Sequence, residues 1–591
     1  MKKLDDIKTK WDLTLLYKNS KDHKLEKDIK HFEKLCISFE KKYRSNDKYL
    51  KTNGELLKAM VDYEKIMETP MNPLLYWYLK SLLNSNNIKA QRNLNLTEER
   101  YQNATNRILF FELNLGKVDD KRKEKILNCR RLKKYRYFFE NLFKHAKYTL
   151  SEKEEKVISK MFLPASTMWQ QGLKKSLLKQ TVKCNHKVMP ILNASQVIHE
   201  LPTKQRRTLQ QKLTKTYIEL SDFAESELNA IYTTKKINDE LRGFKKPYES
   251  KIIANENDVK VVETLVEVVT QNFELSHRFY ELKAKLLNLN KLRYEDRAAK
   301  VKELSTKYSY KDAYYIIKNT LNNIDKDFSN ILYDFSQGKI DVYPKRGKSL
   351  DSQISLPNTK SFILLNFDNS FNHVTTFAHE LGHGIHSTLT QRNQPAIYQD
   401  YSTTAAETAS TFFEGIIFDQ LTKDLPNDQK IIALHNKIQE DIQSIFRQIA
   451  CFNFETEAHN RLRNEGIISK EDFTDMMNKH MHNYLGKTFE LRETDGYQWV
   501  SWTHLRSPFY VYTYAYGQLV SSALRQIYYD DNKFIVKIKE FLKAGSSNTV
   551  ENIFKSVGIS VNKKFFENGL KAIKQDINTL EELIKISKRL F

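Results

Sequence analysis

The sequence predicts a mainly α fold that carries one small sheet. Three observations lead there. Glycine and proline number only 16 and 11 among 591 residues, so long helices meet few breakers. Apolar residues recur at three- and four-residue spacing, as in Leu56-Leu57-Lys58-Ala59-Met60-Val61-Asp62-Tyr63-Glu64-Lys65-Ile66-Met67, the period of an amphipathic helix. β-Branched and aromatic residues flanked by Gly, Pro and Asn are concentrated in residues 338–344 and 361–367, which read as short strands.

Taken in order, residues 1 to about 200 read as helix after helix, with turn chemistry at Thr69-Pro70-Met71-Asn72-Pro73, at Leu163-Pro164-Ala165-Ser166, and near Pro190 and Pro202. A boundary is expected near residue 200, separating an N-terminal helical domain (1–200) from a second helical domain (201–591) that carries the chemistry. Residues 200–335 are again helical by pattern. The two strand segments follow as the one architectural break, and helices resume from about residue 372. No solenoid repeat or low-complexity tract is present.

Composition excludes several classes. With 33 Phe and 31 Tyr the chain is not disordered, and with 4 Cys it is not a disulfide framework. No apolar run is long enough to span a bilayer, and the mean hydropathy is −0.61. The N-terminus carries Lys2 and Lys3, but Asp5 and Asp6 follow in place of an apolar core, so no secretory signal or anchor is expected. Cys36, Cys129, Cys184 and Cys451 form no CxxC pair, which points to reduced thiols in a cytoplasmic protein. The net charge of +23 is spread along the chain and interleaved with acids. It reads as a solvated helical surface, with no nucleic-acid motif and no nucleic-acid partner expected.

The chemistry begins at His379-Glu380-Leu381-Gly382-His383. Four residues of helix rotate the chain by about 400° and advance it roughly 6 Å, so both imidazoles leave one face and can share one ion. Zinc suits two neutral imidazoles, with a position left open for water. Glu380 sits where a general base reaches that water without ligating the metal. A third ligand must come from another helix. Ala405-Ala406-Glu407-Thr408-Ala409-Ser410 is rich in small residues and approaches a neighbour closely, which makes Glu407 the expected ligand of a single Zn²⁺. Glu414, two turns further on the same face, is expected either to orient an imidazole or to be an ordinary helix-pairing carboxylate. His386 and His373 are expected to be structural rather than ligating.

These residues, together with Gly384-Ile385-His386-Ser387 and Asn393-Gln394-Pro395, resemble the thimet/oligopeptidase family of zinc metallopeptidases, oligoendopeptidase F branch. Further matches are Trp11-Asp12-Leu13, Asp341-Val342-Tyr343-Pro344, Phe362-Ile363-Leu364-Leu365-Asn366, Phe446-Arg447-Gln448, Phe454-Glu455, Phe509-Tyr510-Val511-Tyr512 and Leu542-Lys543-Ala544-Gly545-Ser546. The resemblance covers most of the chain and is strongest from about 335 to 575. It implies a zincin-like catalytic domain within a helical ellipsoid enclosing a deep channel, and short peptides as substrates. It also implies that His504 and tyrosines of the segment Trp502 to Gly517 bind substrate and the oxyanion. Tyr510 and Tyr514 are favoured because they lie four apart on one helical face and a phenol stabilises developing negative charge. One segment departs from the family pattern: Lys348-Ser349-Leu350-Asp351-Ser352-Gln353-Ile354-Ser355 stands where relatives carry a Gly-Ala-rich stretch, and Asp351 there would bear on specificity.

The expected function is zinc-dependent hydrolysis of internal bonds of short oligopeptides, with Glu380 as general base. Two alternatives remain: a dipeptidyl carboxypeptidase-type exopeptidase with the same catalytic set, and a non-catalytic basic scaffold. No membrane partner is expected, and no motif fixes the oligomeric state.

Overall fold

Helices make up most of the chain in the computed structural model, which describes residues 7–184 and 187–587. The N-terminal reading that rested on Lys2, Lys3, Asp5 and Asp6 lies outside the described residues. Helix starts follow the chemistry of their caps. Asp22, Asp258, Ser309, Ser370 and Ser469 each accept a backbone N–H of the first turn. The 40-residue helix Thr203–Arg242 ends at Gly243, where φ is +78° and a side chain would be strained. No described helix is long and apolar enough to cross a membrane.

The chain packs into two compact units, each assembled from three segments. The first comprises Met1–Tyr148, Thr306–Leu421 and Ile527–Ile559, and the second Thr149–Ser305, Thr422–Gln526 and Ser560–Phe591. Residue 200 falls inside the second unit, so the compact units are not the contiguous segments 1–200 and 201–591. Composition and turn signals are local, whereas the units are built by segments hundreds of residues apart.

In the first unit an aromatic core gathers Phe32, Phe39, Leu56, Tyr63, Phe111 and Phe139, with Phe39 edge-on to Phe111 at 5.2 Å. A second cluster joins Trp11, Tyr17, Tyr76 and Trp77 to Phe362 and Leu364. The Trp11 Nε1–H donates to the carbonyl of Ile363 at 2.8 Å and to that of Lys339 at 3.1 Å, so the N-terminal segment seals the sheet beneath the motif helix.

Five strands are described: β1 (Thr181–Cys184), β2 (Lys187–Pro190), β3 (Ile340–Asp341), β4 (Ser352–Ile354) and β5 (Phe362–Leu364). β3, β5 and β4 form one sheet in that order, with β3 parallel and β4 antiparallel to the fully buried β5. β4 is therefore an edge strand, and it arises from the segment 348–355. Lys348 anchors it: Nζ lies 2.6 Å from Asp341 Oδ1 and donates to the carbonyls of Tyr343 and Leu365 at 2.8 and 2.5 Å. β1 and β2 pair antiparallel in the second unit, in a region whose sequence reads as helical. The sheet before residue 379 is thus not the only break in the helical pattern. Leu163–Thr167, expected as a loop at Pro164, is a π-helical turn that continues the helix.

Candidate active site

The H-E-x-x-H motif lies in the helix Phe371–Asn393, which Ser370 caps by accepting the His373 N–H. Val374, Phe377, Ala378, Leu381, Ile385 and Leu389 are all buried and root this helix in the first unit. Its neighbour is the helix Thr403–Thr422. Glycine sets their spacing. A Cβ on Gly382 would stand 2.7 Å from Ser410 Cα and 3.1 Å from the Ala409 carbonyl oxygen. A Cβ on Gly384 would meet the Phe335 ring at 2.9 Å. The bare backbone at Gly382, facing Ala409 and Ser410, lets the second helix approach closely enough for Glu407 to reach the histidines.

One ligand atom each from His379, His383 and Glu407 lies within 4.8 Å of the other two. The His379 and His383 rings are perpendicular, with centroids 4.9 Å apart. His379 Nε2 is 3.7 Å from Glu407 Oε2, and His379 Nδ1 is 2.9 Å from Glu414 Oε2. The first contact gathers the set that the sequence predicts as ligands. The second gives Glu414 the orienting contact: in the neutral ring that a metal requires, a carboxylate on Nδ1 holds the proton there and leaves the lone pair on Nε2. His379 and Glu407 keep 24% and 27% of their side-chain surface exposed, so the cluster is not closed over.

The electrostatics differ across the three side chains. Burial, with the charge of His379 second, holds His383 well below its ordinary value, so it stays neutral and ready to ligate. Burial opposes charge on His379, but the hydrogen bond and charge of Glu414 outweigh it and hold the ring near 9. Burial also raises Glu407. Two imidazoles and a partly buried carboxylate, with ligand atoms within 4.8 Å of one another, are the kind of donor set zinc takes. Glu380 lies outside the ligand set. It is 8% exposed, and burial lifts it to about 7, opposed by the charge of His379 and by the backbone N–H of Gln353 on β4. The Asp351 charge adds to the rise, so the segment that carries β4 bears directly on the expected base.

His386 and His373 do not join this set. His386 is 1% exposed and stacks on Tyr401 with centroids 3.9 Å apart, and burial pulls it down to about 3. His373 Nδ1 pairs with Asp368 Oδ1 at 2.5 Å.

His504, Tyr510 and Tyr514 lie in the second unit and form a mutual cluster. Centroids are 5.3 Å apart for His504 and Tyr510, 6.0 Å for His504 and Tyr514, and 5.8 Å for the two tyrosines. The Tyr510 hydroxyl is hydrogen-bonded to His504 Nδ1. Burial, then the Arg447 charge, pulls His504 down to about 4, and burial with the Tyr514 contact raises Tyr510. The expectation that Tyr510 and Tyr514 share a helical face is corrected: the helix begins at Tyr512. Pro508 and Phe509, whose φ is +63°, precede it, so Tyr510 reaches Tyr514 from a turn. Tyr512 bridges Asn255 and Asn257 at 3.0 Å each, and Tyr516 packs on Phe566, so both are core residues.

Sequence reasoning gave Glu455 no role, yet it holds this turn. It is fully buried, and Oε1 accepts the Phe509 N–H at 3.1 Å. Arg506 clamps the same segment. It pairs with Glu227 at 2.7 Å and donates to the carbonyls of Trp499, Val500 and Trp502. A charged residue inside an apolar helical stripe, as in Phe454-Glu455, was the available signal.

Residues 199–570 match the sequence profile of Peptidase family M3, and residues 114–171 match that of Oligopeptidase F. The first match begins beside the boundary expected near residue 200, although packing does not divide there. An oligoendopeptidase F homolog of Borreliella burgdorferi is 26% identical over 597 residues, covering 98% of each chain. Oligopeptidase PepF of Bacillus subtilis is 24% identical over 542 residues, covering 90% of this chain and 81% of its own. The crystal structure of oligoendopeptidase-F from Enterococcus faecium shares the fold, with a TM-score of 0.70 at 19% identity over 95% of this chain and 99% of that one. With well over half of its length matched, the chain belongs to peptidase family M3, in the oligoendopeptidase F branch, and is a metallo-endopeptidase.

Proposed function

We propose that the protein hydrolyses internal bonds of short oligopeptides with one zinc ion held by His379, His383 and Glu407, and with Glu380 as general base. The observation that carries this reading is the convergence of those three ligand atoms within 4.8 Å, with the Glu414 carboxylate 2.9 Å from His379 Nδ1. When bound, zinc supplies Lewis-acid polarisation of the scissile carbonyl and acidifies a water.

The residues do the rest. Glu380, raised to about 7 by burial, is matched to proton transfer near neutral pH: it takes the proton of the attacking water and delivers it to the leaving amine. Glu414 keeps His379 in the ligating tautomer. β4 is the edge strand of its sheet, the position at which an extended peptide would add, and a cavity of about 300 Å³ beside it is lined by Gln353, Ser355, Ser387 and Tyr401 among others. The parts assigned to His504, Tyr510 and Tyr514 in binding the substrate and its oxyanion rest on the family resemblance and on their mutual contacts. Four free thiols favour a reducing, cytoplasmic setting. The test is zinc content measured beside hydrolysis of a quenched fluorescent peptide with and without o-phenanthroline: activity tracking bound zinc supports the reading, and undiminished cleavage by metal-free protein contradicts it.

A further inference from the structure

The second unit contains a cavity of about 250 Å³ whose walls include Arg297, Arg447, His199, Tyr294, Trp502 and His504. Its charges are unbalanced. The acids next to Arg297 in the chain are already taken: Glu295 by Arg492 at 2.8 Å and Asp296 by Arg206 at 2.7 Å. Among the described residues neither Arg297 nor Arg447 has a carboxylate within 4 Å. Each guanidinium instead lies over an aromatic ring. Arg447 is 4.0 Å from the Trp502 centroid and Arg297 is 4.4 Å from that of Tyr294. Stacking occupies the face of a guanidinium and leaves its N–H edge for a planar acceptor.

Two obligate donors on the same walls, Arg447 Nε and Trp502 Nε1, are buried with no hydrogen-bond partner, and so is His199 Nδ1. Trp502 is only 7% exposed. Orphaned buried donors cost stability unless something accepts from them. Burial first, and then the charges of Arg297, Lys283, Arg206 and Arg447, pull His199 down to about 3, which gives the sign of the potential.

We propose that this cavity is a carboxylate-binding site, with Arg297 and Arg447 as its cationic walls. The planar fork of arginine matches a carboxylate, and the volume takes a carboxylate with its first carbons rather than a lone monatomic ion. Because His504 shares the wall, the carboxylate is that of a peptide, at its C-terminus. This last assignment rests on the reading above that His504 meets substrate, while the site itself does not.

The test uses the full-length protein, N-acetylalanine as the carboxylate probe and N-acetylalanine amide as its neutral twin, with binding followed by saturation-transfer NMR. The acid binds and the amide does not, and Arg297→Gln weakens the acid roughly 10-fold or more. Arg297→Lys restores part of the loss, because charge returns without the fork. Should Arg447→Gln fail to fold, the Arg297 pair carries the test. Equal binding of acid and amide, or acid binding unchanged in Arg297→Gln, overturns the proposal.

In parallel, KM is compared for one peptide with a free or an amidated C-terminus. Amidation raises KM about 10-fold in the wild type and has little effect in Arg297→Gln, with kcat held. If the probe binds through Arg297 but amidation leaves KM unchanged, the site takes a free carboxylate, and the assignment to the peptide terminus is rejected. If no peptide is cleaved while the acid still binds, the peptidase reading fails and the site stands.

Discussion

His379 and Glu414 are joined through Nδ1 and Oε2 at 2.9 Å, and in the neutral ring a carboxylate on Nδ1 leaves Nε2 for a metal. Nε2 then stands 3.7 Å from Glu407 Oε2. Removing the acceptor frees the ring to rotate and to change tautomer. Glu414→Ala is expected to weaken zinc binding by about 10- to 100-fold, and Glu414→Gln, which still accepts a hydrogen bond, by less. Equilibrium dialysis against zinc buffers measures both. Equal affinity in wild type and alanine variant would remove Glu414 from the site.

Gly382 controls the helix spacing. In Gly382→Ala the new methyl meets Ser410 Cα at 2.7 Å, and backbone cannot step aside as a flexible side chain does. The two helices must separate, at about 1–3 kcal/mol for overpacking, and Glu407 moves with its helix. A lower Tm accompanied by reduced zinc content is expected. A fall in Tm with zinc affinity intact would mean that the glycine serves packing alone.

The tyrosines separate by their contacts. Tyr510→Phe removes the hydroxyl that meets His504 and is expected to lower kcat by about 10²- to 10³-fold with zinc content unchanged. Tyr512→Phe removes bonds to Asn255 and Asn257 and should lower Tm while sparing kcat. Steady-state kinetics on both variants distinguish the roles, and the reverse pattern would exclude Tyr510 from the reaction.

Glu455 imposes a pH dependence on stability. Burial raises its carboxyl from 4.5 to about 8, against the Phe509 N–H and the Lys235 charge. Between those values the folded chain keeps a proton that the unfolded chain has lost, so stability falls as pH rises. The contribution is fully present below about 4.5 and is lost as pH passes about 8. Glu455→Gln carries a permanently neutral group and should gain stability relative to wild type at pH 9 compared with pH 5. Urea midpoints at the two pH values measure this, and the same wild-type-to-variant difference at both would show that Glu455 does not titrate in that interval.

Much of this was legible in the sequence where the signal was periodic. His379 and His383 follow the helical repeat between buried Val374, Phe377, Ile385 and Leu389, and Glu407 lies among small residues whose packing value depends only on size. What was hidden depends on contacts distant in the chain. β4 is three residues, Ser352-Gln353-Ile354, too short for alternation to show, and it exists because β5 pairs with it. β1 and β2 are equally short. Tyr510 left the expected helix because Phe509 adopts a positive φ, a conformation that Glu455 stabilises from 54 residues away. The compact units interleave three segments each, which no local pattern records.

The central claim is tested most directly by measuring zinc stoichiometry and peptide hydrolysis on the same samples of wild type, Glu380→Gln and His383→Ala. The expected result is one zinc and full activity in wild type, one zinc with turnover reduced by about 10²- to 10⁴-fold in Glu380→Gln, and neither zinc nor activity in His383→Ala. Near-normal hydrolysis by Glu380→Gln, or full zinc content in His383→Ala, would contradict it.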